Sequence, residues 1–130
     1  MRRASILFSV FAFCAAGLIA QDADLIQHQT LMKAAAGANA ALRAAVTAKD
    51  AASIKENSGK MAESFDAISK YWARQQKADA VKFAEDARDA AKAVGAATEA
   101  DQAAALGKIN GNCRGCHMAY REGNTNAFKK

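Results

Sequence analysis

The chain contains no proline, and beyond its first 20 residues it keeps only two cysteines, Cys113 and Cys116. Without proline no residue locks φ or removes a backbone donor, so helices meet no break of that kind. No window past the N-terminal segment alternates apolar and polar residues as a half-buried strand does. That absence excludes folds built on βαβ units. Histidine is scarce too, with only His28 and His117. No serine–histidine–acid set, phosphate-binding glycine loop or paired-carboxylate site accompanies them, so no enzymatic reading arises. Aromatics make up 7% of the chain and no lysine/arginine stripe is interleaved with them. The net charge of +5 is therefore not a nucleic-acid footprint.

What is abundant is alanine, the best helix former, at 35 of 130 residues. Met1-Arg2-Arg3 leads into an uncharged run from Ala4 to Ala20 rich in Phe, Leu, Ile, Val and Ala, the layout of a secretory signal peptide. Cleavage is expected after Ala20, or nearer Ala23, and Cys14 leaves with the signal. Residues 21–130 then form one domain by length. Loss of Arg2 and Arg3 lowers the net charge by two, from +5 to +3.

Four helices are expected in the mature part. The first runs from about Asp24 to Ala48, with Leu25, Met32, Ala35, Asn39, Leu42 and Val46 on one face. The second is capped by Asp50 and carries Ile54, Met61, Phe65, Ile68 and Trp72 at helical spacing. The third spans about Asp79 to Ala97, with Ala80, Phe83, Ala84, Ala87, Ala91 and Val94 inward. Thr98, with Asp101 three residues on, has the form of a capping box for the fourth. That helix bears Leu106, Ile109, Cys113, Cys116 and Tyr120. Connections of a few residues favour antiparallel neighbours, so the expected fold is all-α, an up-down-up-down antiparallel four-helix bundle. From Gln21 onward only 20 residues are large and apolar. That is a thin core for a domain of this size, and a bound apolar cofactor would complete it.

Cys113-Arg-Gly-Cys116-His117 supplies the candidate. C-x-x-C-H is the pattern of covalent c-type haem attachment. Two thiols add across the haem vinyl groups, and the adjacent imidazole binds the iron. A redox dithiol and a zinc site use the same C-x-x-C start. The first belongs to βαβ folds; the second needs a fourth ligand, which only His28 offers. Gly107, Gly111 and Gly115 surround the motif at a helical cost of about 1 kcal/mol each. They mark either a frayed or broken segment or a close approach of backbone to a flat macrocycle.

Cys113-x-x-Cys116-His117-x-x-Tyr120-Arg121, near the C-terminus of an exported all-helical chain, resembles the class II c-type cytochromes, the group of cytochrome c-prime and its low-spin relatives. Members commonly run longer, with a proline-containing connection between helices two and three that is absent here. The resemblance implies one haem c per chain, held by Cys113 and Cys116 near the C-terminal helix, with His117 as proximal ligand. It implies that Tyr120 walls the proximal pocket and that Arg121 pairs with a propionate or stays solvated. Low-spin relatives place a methionine of a Leu-Met-Lys sequence on the iron. Thr30-Leu31-Met32-Lys33 is similar, which makes Met32 the expected distal ligand and a one-electron carrier the expected function. The alternative is an open distal site that binds nitric oxide or carbon monoxide.

His28, one turn before Met32, is either a competing distal ligand or a side chain at the cofactor edge. Trp72 resembles the family's haem-contacting tryptophan in type, with contact and simple packing both open. Met61 and Met118 are expected to pack. Periplasmic location and no stable membrane insertion after signal cleavage are further expectations. Relatives are often homodimers through their first two helices, but no decisive apolar patch marks such an interface here, and the oligomeric state stays open. An acidic redox partner is expected to meet a basic rim of Lys108, Arg114, Arg121, Lys129 and Lys130, with a solvated helix end and tail as the other reading. Glu122 is the one acidic residue in that stretch.

Because Cys113 and Cys116 are the only mature cysteines, each single alanine substitution should remove one thioether. The double substitution should leave haem extractable by acid-acetone. Intact mass after production with a haem-attachment system checks this; a mass equal to the bare polypeptide contradicts covalent attachment.

Overall fold

The computed structural model describes residues 2–123 and Phe128, with side chains from residue 23 onward. Four helices follow one another: α1 (Arg2–Ala48), α2 (Ala51–Arg74), α3 (Ala78–Ala96) and α4 (Glu99–Tyr120). The expected first helix is the C-terminal part of a longer one, because no break separates it from the segment read as a signal. The side chains of that segment lie outside the described residues. Among the described residues, no helix is long and apolar enough to cross a membrane.

Each connection is two or three residues long, and its chemistry is local. Asp50 caps α2 by accepting from Ser53 N at 3.1 Å and from Ser53 Oγ at 2.7 Å. Lys49 and Gln76 take left-handed φ values of 55° and 57°. Behind them, Asp50 N donates to Ala45 O and Lys77 N to Trp72 O, each at 3.1 Å. These are Schellman endings in which a side-chain-bearing residue occupies the position glycine favours. The start of α4 is where expected, but the capping box is not realised. Thr98 Oγ1 donates to Asp101 Oδ2 at 2.7 Å instead of accepting from the backbone, since a hydroxyl facing a carboxylate acts as the donor.

The helices pack in sequence, α1 on α2, α2 on α3, and α3 on α4. Lys49 pairs with Glu99, so the α1–α2 and α3–α4 turns share one end of the bundle. At the other end Arg74 Nη2 reaches Gln27 Oε1 at 3.1 Å and Gln75 Nε2 reaches Asp24 Oδ2 at 3.3 Å. The order is therefore up-down-up-down, as the spacing predicts. The core is formed by Leu42, Ile54, Met61, Phe65, Ile68, Tyr71, Trp72, Val94 and Ile109, cemented by alanines such as Ala80, Ala87 and Ala91. Small residues bring α2 and α3 together closely. A Cβ on Gly95 would collide with Ser58 Oγ. No packing of comparable extent joins α1 to α4. That seam holds the cavity described next.

Two substitutions of opposite sign test the turn chemistry. Gln76→Gly should stabilise the fold by about 1 kcal/mol by relieving the left-handed backbone. Asp50→Ala should destabilise it by about 1 kcal/mol through loss of the cap. Denaturant unfolding with unchanged m-values measures both.

Candidate functional site

A cavity of about 400 Å³ lies between the helices, lined by residues of all four. This is within the range of small-molecule and cofactor pockets. On α1 its wall runs from His28 through Met32 to Asn39, and on α4 from Asn112 to Tyr120. Because the two helices run antiparallel, His28 and Met32 share a level with the Tyr120 end, and Asn39 with the Asn112 end. The α2 wall is the buried stripe Met61, Phe65, Ile68 and Trp72. Phe83 and Ala84 add the α3 contribution.

Cys113, Cys116, His117, Met32, Tyr120 and Arg121 all line this one space, as do His28 and Trp72. Cys113, Cys116 and Met32 are half-buried and His117 is exposed. Met61 packs in the core as expected. Met118 does not; it is 63% exposed, because its position falls off the face that carries residues 113, 116, 117 and 120. Of the three glycines in α4, only Gly115 makes a close approach. A Cβ there would lie 2.6 Å from a Phe83 ring carbon, whereas Gly107 and Gly111 face open space. The close neighbour of Gly115 is thus a phenylalanine of α3 and not the macrocycle that the sequence reading has in view.

The electrostatics separate the three chemistries that share the cysteine pair. Burial raises the Cys113 thiol above its ordinary range. Burial, then the neighbouring Cys113 and Asp79, push Cys116 up to about 11. Both stay protonated at neutral pH, the opposite of the depressed thiol of a redox dithiol. Among the described residues no group of three or more His, Cys, Asp or Glu is arranged to hold a metal ion, so a zinc site lacks its ligands. Burial of part of the His117 ring and the nearby Arg121 guanidinium lower its pKa. The imidazole is then neutral, the form that binds iron.

The Tyr120 end of the cavity is an aromatic box. His28 lies 5.1 Å from Tyr71, 5.3 Å from Trp72 and 4.6 Å from Phe128 between ring centroids. Trp72 touches Tyr120 at 4.8 Å and Phe128 at 5.5 Å. Phe128 returns to the cavity through a bridge to Arg121. Sequence reasoning assigned the tail no packing role, and the one large apolar residue among Asn, Thr, Ala and Lys is the signal available. The Tyr120 hydroxyl donates to Asp79, a contact that no spacing rule indicates. Lys129 and Lys130 lie outside the described residues.

Among the described residues, two buried polar atoms, Trp72 Nε1 and Asn39 Oδ1, have no hydrogen-bond partner. Both residues line the cavity. Buried polar atoms are nearly always paired, so these two point to a ligand with polar groups inside an apolar envelope. A haem fits the Trp72 end of that requirement, where a propionate carboxylate can accept from Nε1, and its apolar ring would lie opposite two thiols, an imidazole and a thioether. Asn39 Oδ1 needs a donor, which an ionised propionate does not offer.

Among known proteins, the chain is 32% identical over 100 residues to the cytochrome c′ of Pararhodospirillum photometricum, a match covering 75% of this chain and 79% of that protein. No family model matches the chain. No solved structure matches it.

His28 sets an acid sensitivity. Burial first, and His117 second, push its pKa down to about 4 from 6.5. The unfolded chain therefore binds a proton more readily than the folded one between these values. Stability should be full above about pH 6.5 and fall as pH drops toward 4. His28→Leu should flatten that part of the profile, measured by denaturant unfolding at a series of pH values; an unchanged slope contradicts the assignment.

Proposed function

This chain belongs to the cytochrome c′ family, haem proteins rather than enzymes, and from that premise we propose that it is an exported one-electron carrier with His117 and Met32 as iron ligands. The observation that carries the reading is the placement of Met32 on α1 and His117 on α4 along one cavity, with Cys113 and Cys116 beside His117. The family and the cysteine pair point to covalent haem c. When bound, haem supplies a one-electron couple between ferric and ferrous iron.

The chain's own residues divide the remaining work. Cys113 and Cys116 would hold the haem to α4 as thioethers, which would keep it from dissociating. His117 presents a neutral ring nitrogen, and its second nitrogen is left to take an acceptor. Met32 offers a polarisable, uncharged sulfur that favours the reduced metal and raises the potential relative to a second nitrogen. Phe65, Ile68 and Trp72 keep water from the α2 side. No residue has to move a proton, which keeps the structural rearrangement per electron small.

Lys108 and Arg114 lie exposed on α4 near the attachment motif. A basic surface there supports docking of an acidic redox protein, with faster encounter at low salt. The same reading places the protein in a bacterial periplasm, delivered by residues 1–20. A second reading, an open distal position for nitric oxide or carbon monoxide, draws on Ala35 and Ala36, which leave room beside Met32 in the cavity wall.

Met32→Ala decides between them. The wild-type holoprotein is expected to be low-spin, to show the red absorption band of thioether-bound ferric haem, and to resist carbon monoxide at neutral pH. The variant should shift toward high spin, bind carbon monoxide and have a lower reduction potential. Wild-type protein that is high-spin and binds carbon monoxide readily places the function with the second reading.

A further inference from the structure

Asp79 opens α3, but its carboxylate serves the wall of the cavity. The Tyr120 hydroxyl donates to Asp79 Oδ1, tying the last residue of α4 to the first turn of α3. The Tyr120 ring in turn lies 4.8 Å from Trp72, tilted by 40°. Both rings line the cavity. Without an acceptor at position 79 the phenol loses the bond that sets its angle against the indole. The acceptor is itself well held, since Ala80 N donates to the same oxygen at 3.0 Å and the helix N-terminus favours a negative charge.

Protonation follows from this arrangement. The hydrogen bond from Tyr120 holds the Asp79 carboxyl below its usual range. The same bond pushes the phenol up to about 12. At neutral pH the pair is a charged carboxylate and a neutral phenol. Tyr120 lines the same cavity as Cys116 and His117, so the carboxylate that its hydroxyl binds sits at that end of the cavity wall. Lys77 lies near enough to offset part of the carboxylate's charge.

We propose that Asp79 is a positioning residue for the haem site, holding Tyr120 against Trp72 and placing one negative charge at the Tyr120 end of the cavity that favours the oxidised state. The inference rests on Cys113, Cys116 and His117 being the haem attachment. An electron delivered by a redox protein converts ferric to ferrous iron, with no bond made or broken and no proton required. That electron adds negative charge near an existing one, which Coulomb repulsion opposes. Asp79 is exposed, so salt screens the effect.

Reduction potentials of the haem-loaded wild type, Asp79→Asn, Asp79→Glu and Tyr120→Phe, at low and high salt, test both halves. Asp79→Asn should have a higher potential than wild type at low salt, and the difference should shrink as salt is raised. Asp79→Glu should stay near the wild-type potential. Tyr120→Phe keeps the charge but frees the ring, and should alter the near-ultraviolet circular dichroism while moving the potential less than Asp79→Asn. A wild-type potential for fully haem-loaded Asp79→Asn at low salt overturns the electrostatic half, and unchanged dichroism in Tyr120→Phe overturns the positioning half. Wild-type protein carrying no covalent haem overturns the underlying reading, a result distinct from both.

Discussion

The open seam between α1 and α4 is the constraint on which the rest depends. A chain this rich in alanine can bring helices together closely, and it does so where Gly95 meets Ser58 and where Ala84, Ala87 and Ala91 lie along α3. Close packing consumes little side-chain volume. The few large residues of α2 therefore also face the remaining seam, where Met61, Phe65, Ile68 and Trp72 form a buried wall beside the cavity. Native interiors leave few voids larger than a water molecule. A seam this wide, with two unpaired polar atoms beside it, is consistent with a fold completed by something other than protein.

The chemistry of the cysteine pair follows from the same geometry. Half-buried on one helix face, the two thiols are raised above their ordinary range by burial, the reverse of the shift that makes a cysteine acidic. The imidazole next to them is kept neutral by partial burial and by Arg121. Neutral thiols and a neutral imidazole suit attachment to haem better than disulfide exchange. At the Tyr120 end, His28, Tyr71, Trp72, Tyr120 and Phe128 enclose one another, and the contacts among them leave little freedom to any ring.

The helices were legible from spacing alone, because proline-free, alanine-rich segments with three- and four-residue apolar steps admit little else. The haem motif and the inward face of α2 were legible for the same reason. Five features were not. The Thr98 hydroxyl could accept from the backbone or donate to Asp101, and only the relative placement of the two side chains decides. Met118 and the glycines of α4 required knowing which face of that helix meets α3 and which meets solvent. Phe128 and the Tyr120–Asp79 bond arise from long-range folding, across a chain reversal and across two helices, where no local period carries information. Cofactor motifs are local because covalent attachment is local; the pocket walls are assembled by topology.

The central claim is that an iron centre sits in the α1–α4 seam between Met32 and His117. The most direct measurement is the iron anomalous signal from a crystal of the holoprotein, placed against the protein electron density. The expected result is one iron per chain in that seam, bonded to a His117 ring nitrogen and the Met32 sulfur, with continuous density to Cys113 and Cys116. Iron elsewhere, or iron in the seam with no bond to His117, contradicts it.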